Sequence, residues 1–89
     1  MVQRTVDLVN RLGLHARAAA KFVHVSARFK ADVLVRHHDD EVNGKSILGL
    51  LLLAAPCGSH LTISASGVDE TDALQALDDL IRQRFGEDE

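Results

Sequence analysis

The 89-residue chain is 46% hydrophobic and 26% charged, with a formal net charge of −3. That length suits one small domain spanning residues 1–89, and the acidic balance argues against a general nucleic-acid binder. Cys57 is the single cysteine, which excludes an intramolecular disulfide.

The opening MVQRTVDLV has neither the basic n-region nor the long apolar stretch of a signal peptide, so a cytoplasmic protein is expected. Over residues 2–9, Val2, Val6 and Leu8 alternate with Gln3, Thr5 and Asp7, the pattern of a half-buried strand. NRLG breaks that pattern, and Gly13 permits a backbone conformation that other residues resist.

From Ala16 to about Phe29 the period becomes helical. Ala18, Phe22, Val25 and Phe29 form one apolar stripe, widened by Ala19 and Val23. Arg17, Lys21, His24 and Arg28 form a cationic stripe, and Ala16, Ala20 and Ala27 lie between the two. A cationic stripe usually marks a solvated face. An edge of small residues beside it is less usual for solvation alone.

ADVLVRHH reads as a second strand with Val33 and Val35 inward, and DDEVN as its hairpin partner. Ser46 is placed to cap a short helix over ILGLLLLAA, closed by Pro56 and Gly58. This longest apolar run is about half the length of a membrane span. Its apolar residues outnumber one buried face, so some are expected to be exposed. HLTISAS is the last strand, with Leu61, Ile63 and Ala65 inward. Asp69 begins a final helix with Leu74, Leu77 and Ile81 inward and Ala73, Leu80 and Phe85 flanking. Gly86 ends it, and residues 87–89 read as a frayed acidic tail. The order β-α-β-β-α-β-α, with one sheet covered by helices on a single face, is an α+β fold.

His15 thus stands where a strand hands over to a helix N-terminus. The first N–H groups of a helix lack internal acceptors, and with the helix dipole they attract an anion. Arg17 adds a guanidinium fork that matches phosphate oxygens. A neutral imidazole keeps a lone pair and is a nucleophile. The bland alternative is a histidine that packs at a helix start beside a solvated arginine. NGKS ends like a phosphate-binding Walker loop, but Asp39 stands where that loop needs a glycine. His37 and His38, adjacent on a strand, are expected on opposite faces, and Cys57 as a half-buried small residue. No metal site is expected.

GLHAR before a helical run, followed by VNGKSILGLLLLAA, resembles the HPr family, the histidine-containing phosphocarriers of the phosphoenolpyruvate-dependent phosphotransferase system (PTS). The resemblance covers essentially the whole chain. It implies an open-faced β-sandwich, with a four-stranded antiparallel sheet under three helices. It implies that enzyme I phosphorylates His15 on Nδ1, that Arg17 stabilises the phosphate, and that a IIA-type acceptor then takes the phosphoryl group. Ser46 matches the target of a regulatory HPr kinase/phosphorylase. Leu48, with Ile47, Gly49, Leu51 and Leu52, and with Ala16, Ala20, Lys21 and His24 of the first helix, would dock partners. No cofactor and no membrane insertion are implied, and a monomer is expected. Many members carry a proline directly after the arginine, where this chain has Ala18; alanine is a strong helix former, so the helix should survive. The rival function is a regulatory binding protein of the same fold, acting through its phosphorylation state. The sugar-uptake and nitrogen-related branches both stay open.

Overall fold

Alternation decides the sheet. In the computed structural model, which describes residues 1–88, the strands are β1 (Val2–Asp7), β2 (Asp32–His37), β3 (Asp40–Asn43) and β4 (His60–Ser66). All three pairings are antiparallel, in the order β1-β4-β2-β3. The register sets Val6 opposite Leu61, Val33 opposite Ala65 and Val35 opposite Ile63. These inward residues are buried. They meet Phe22, Leu50, Leu77, Ile81 and Phe85 in one core. Thr5 and Thr62 pair on the other, open face.

The helices are α1 (Ala16–Ser26), α2 (Ile47–Leu52) and α3 (Glu70–Arg82), followed by a 3-10 turn over Arg84–Gly86. None is long and apolar enough to cross a membrane. The fold is therefore the expected α+β arrangement of one antiparallel sheet and three helices.

Local chemistry moved four boundaries or side chains from their expected places. α1 ends at Ser26 and not near Phe29. Ser26 is fully buried, and its hydroxyl donates to the carbonyls of Val23 and Gly44 at 3.2 and 2.8 Å. Beyond it the backbone tightens into i to i+3 bonds, while Phe29 still packs against the core. Phe85 does not flank α3. Arg84 and Phe85 take left-handed φ values of 56° and 54°, which swing the Phe85 ring into the core. His38 leaves the strand with φ 56°, so its ring lies 4.1 Å from that of His37 and not on the opposite face. Cys57 follows Pro56 in an open loop and is exposed, not half-buried.

Two carboxylates join distant segments. Asp69 precedes α3 but does not cap it; its oxygens accept from the backbone N–H groups of Lys30 and Ala31, both at 2.8 Å. Those bonds, the one from Lys30 foremost, hold its carboxyl below the usual range. Asp78, 2% exposed, accepts from Arg4 at 2.5 Å and Arg82 at 3.0 Å. Burial pulls its pKa upward, and the two guanidinium bonds outweigh that pull. Both carboxyls titrate lower folded than unfolded. Their stabilisation is present above the ordinary aspartate value near 3.8 and is lost as pH falls through the folded values. Urea unfolding as a function of pH should therefore show stability falling below about pH 4. Asp78→Ala should lose about 1–3 kcal/mol at neutral pH and flatten that acid slope. An unchanged slope in the variant would remove Asp78 from the account.

Candidate functional site

The site begins with a loop pinned at both ends. Leu8 N–H donates to Ser59 O at 2.9 Å, and Gly58 N–H returns a bond to Leu8 O at 2.8 Å. Gly13 N–H closes a turn onto Asn10 O at 3.1 Å, and the Asn10 side-chain amide donates to Gly13 O at 2.7 Å. Leu14, buried, donates its N–H to Ala55 O at 2.9 Å. The loop that carries His15 is thus sewn to the segment following α2. Gly13 has φ +66°, and a Cβ there would lie 2.5 Å from the Ala55 carbonyl oxygen.

His15 is the N-cap residue of α1, in an extended conformation. Its carbonyl accepts the first helical bond, from Ala19 at 2.8 Å, while its side chain makes no capping bond. The first turn contains no acidic residue. α1 runs unbroken through Ala18, which is fully buried. The imidazole is 25% exposed, with Nε2 2.5 Å from Oε2 of Glu87.

Glu87 corrects the expectation of a frayed tail. The left-handed turn at Arg84 and Phe85 folds the chain back, and Lys21 Nζ fastens it by donating to Phe85 O at 2.6 Å. The other Glu87 oxygen accepts from Asn10 Nδ2 at 3.0 Å. Burial raises the Glu87 pKa, but the bonds from Asn10 and His15, with the charge of Arg17, outweigh burial and hold it low. Asp88 is exposed, and Glu89 lies outside the described residues. Sequence reasoning missed both Glu87 and Asn10. Their only local mark is the Asn10–Gly13 turn; the contact with His15 spans 72 positions and leaves no periodic trace.

Of the cationic stripe, Arg17 and His24 are exposed and Lys21 is half-buried. Arg17 and Lys21 line a shallow cleft of about 370 Å³ with Leu12, Gly86, Glu87 and Asp88. Arg17, Ala20, Lys21, His24 and Val25 of α1 also line a groove with Leu80 of α3. Ala16 is exposed in the first turn.

α2 packs against α1. Ser46 is its N-cap, with its Oγ accepting from Gly49 N–H at 3.1 Å. Leu50 is fully buried and Leu51 half-buried, whereas Ile47, Leu48 and Leu52 are 43%, 69% and 72% exposed. Half-buried Gly49 leaves little space: a Cβ there would lie 3.3 Å from both Ser46 Oγ and Val42 Cβ. The helix therefore offers water an apolar ridge, as expected from its excess of leucines. Leu12 is a further exposed apolar residue, at 66%, on the His15 loop. Among the described residues, no three of His, Cys, Asp or Glu lie together as a metal ion requires.

A family model described as the PTS HPr component phosphorylation site matches residues 2–83. The phosphocarrier protein HPr of Neisseria meningitidis serogroup A is 46% identical over 89 residues, the whole of both chains. That of Pseudomonas aeruginosa is 47% identical over 85 residues, 94% of each chain. The crystal structure of HPr-C-His from Thermoanaerobacter tengcongensis superposes with a TM-score of 0.96 at 40% identity, covering both chains completely.

Proposed function

This chain belongs to the HPr family of phosphocarrier proteins of the phosphotransferase system, and on that premise we propose that His15 is its phosphoryl-accepting residue. The observation that carries this reading is the position of the imidazole. It stands at the mouth of α1, part-exposed, beside backbone N–H groups that lack helical acceptors. In the proposed cycle the His15 Nδ1 lone pair attacks phosphorus on phosphorylated enzyme I. The bond from phosphorus to the donor breaks, and a IIA-type acceptor later takes the group. Arg17 is one residue into α1, exposed, and its guanidinium supplies fixed positive charge for the phosphoryl oxygens. The protein carries one phosphoryl group between partners, as a monomer in the cytoplasm. Incubation with phosphoenolpyruvate and enzyme I should yield one acid-labile phosphate, mapped to His15. A chain that stays unphosphorylated, or is labelled elsewhere, overturns the assignment.

The ridge of α2 is the proposed docking surface. Leu48→Asp should weaken binding of enzyme I by about 2 kcal/mol or more, because an exposed apolar side chain anchors best when a partner covers it. The same change should leave the melting temperature nearly unchanged, since Leu48 is already 69% exposed. Titration calorimetry beside thermal unfolding separates the two effects. Unfolding without a separate binding defect would mean that Leu48 serves the core.

Ser46 is proposed as a phosphorylation target of a regulatory kinase. Its hydroxyl already accepts a helix N–H, and a negative group there is favoured by the free N–H groups of the first turn. The same charge borders the Leu48 ridge and must be desolvated when a partner docks. Ser46→Asp should therefore fold normally and bind enzyme I about 1–3 kcal/mol more weakly. Ser46→Ala should bind normally. If both variants are slow in phosphotransfer, the cap itself matters and the electrostatic account fails.

A further inference from the structure

The Glu87 carboxylate lies against the ring nitrogen that the proposed chemistry does not use. Nε2 meets Oε2 at 2.5 Å, on the edge of the imidazole away from Nδ1. An ionised carboxylate only accepts hydrogen bonds, so this contact requires a proton on Nε2. The carboxylate is in turn held from behind: Oε1 accepts from Asn10, whose side chain is fully buried and also tied to Gly13 O. Glu87 itself is 11% exposed, and its low pKa keeps it ionised through the neutral range. Nothing comparable engages the ring as a helix cap.

We propose that Glu87 is a positioning residue for phosphoryl transfer, holding the proton on His15 Nε2 so that the lone pair stays on Nδ1. This rests on the assignment of His15 as the acceptor. In the neutral ring one nitrogen carries hydrogen and the other is the nucleophile. A carboxylate at Nε2 selects the tautomer in which Nδ1 can attack. As the Nδ1–P bond forms, the donor keeps the electron pair of the bond that breaks. The Nε2 proton stays on the ring, which takes up positive charge. The Glu87 charge then faces that developing charge across a short hydrogen bond, from a carboxylate only 11% exposed. Asn10 fixes the carboxylate, so the orientation needs no rearrangement at the moment of transfer.

The test uses the full-length protein with ¹⁵N-labelled histidine, as wild type, Glu87→Ala and Glu87→Gln, at a pH near 8 where an ordinary imidazole is neutral. Long-range ¹H–¹⁵N spectra report which ring nitrogen bears the proton. Single-turnover transfer from phosphorylated enzyme I reports function, and thermal unfolding reports structure. Wild type should show the Nε2–H form alone. Glu87→Ala should show both tautomers and accept phosphate about tenfold more slowly, as loss of a charge-assisted hydrogen bond implies, with little change in Tm. Glu87→Gln keeps an oxygen acceptor without the charge, and should restore the tautomer and part of the rate. Wild-type transfer by Glu87→Ala, or a slow variant with a wild-type ring spectrum and a lowered Tm, would overturn the proposal. Failure of wild type itself to take phosphate on His15 would instead sink the His15 assignment, and the ring spectra would still report on the Glu87 contact.

Discussion

His15→Ala should abolish phosphoryl acceptance while the protein stays folded. The imidazole is 25% exposed and lies outside the hydrophobic core. It makes no capping bond, so alanine at the N-cap forfeits no hydrogen bond to the helix. The backbone there, φ −89° and ψ 179°, suits any residue. Glu87 loses one partner but keeps Asn10. The stability change should stay within about 1 kcal/mol. The rate has no such shelter, because the nucleophile itself is gone. A fall of at least about a thousandfold, on the order of 4 kcal/mol, is expected. Labelling with phosphoenolpyruvate and enzyme I, followed by site mapping, gives the answer. Normal phosphorylation of the variant at His24, His37, His38 or His60 would end the assignment. A collapse of stability would favour a packing role.

Gly13→Ala should be the most damaging small substitution near the site. Its φ of +66° already disfavours a side chain, by roughly 1–2 kcal/mol. The new Cβ would meet Ala55 O at 2.5 Å and two Pro56 backbone atoms at 2.9 Å. These are main-chain atoms and cannot rotate away. The loop must move, which breaks the Leu14–Ala55 bond and displaces His15. A loss of about 2–4 kcal/mol in urea unfolding is expected, with slower phosphotransfer. Gly58→Ala is the control. Its φ is +90°, but a Cβ there meets nothing within 4 Å. It should therefore lose only the backbone part. If the two variants unfold alike, the contact with residues 55 and 56 is softer than its geometry implies.

Local patterning made most of the fold legible. Val33 and Val35, or Leu61, Ile63 and Ala65, declare a strand face by alternation, and all are buried as that pattern requires. Ser46 before an apolar run announced a helix cap, and its Oγ bond to Gly49 confirms the cap. The excess of leucines in α2 announced exposure, and Leu48 and Leu52 show it. The illegible parts depend on residues far apart in the chain. Arg4 shares a strand face with Val2 and Val6, where a charge looks misplaced until Asp78 arrives from α3 to meet it. Phe85 lies in register to continue a helix, and only the left-handed turn carries it into the core. Glu87 sat in an acidic terminal run, a composition that ordinarily means fraying, until Asn10 and His15 supplied partners. Of the candidate site, the placement of His15 and Arg17 at the start of α1 was legible; the carboxylate against the ring was not.

Strand β4 lies between β1 and β2, although it comes last of these four strands in chain order. On a growing chain the β2–β3 hairpin is the only pairing available before residue 60 exists. Among the described residues β1 pairs with β4 alone and must wait for it. The closure entropy of the β1–β4 and β2–β4 pairings therefore falls due together, only once residues 60–66 have been made. A nascent chain stalled before His60 leaves β1, with Val6, without its strand partner, so it should be degraded as an unfolded fragment, not accumulate as a partial carrier.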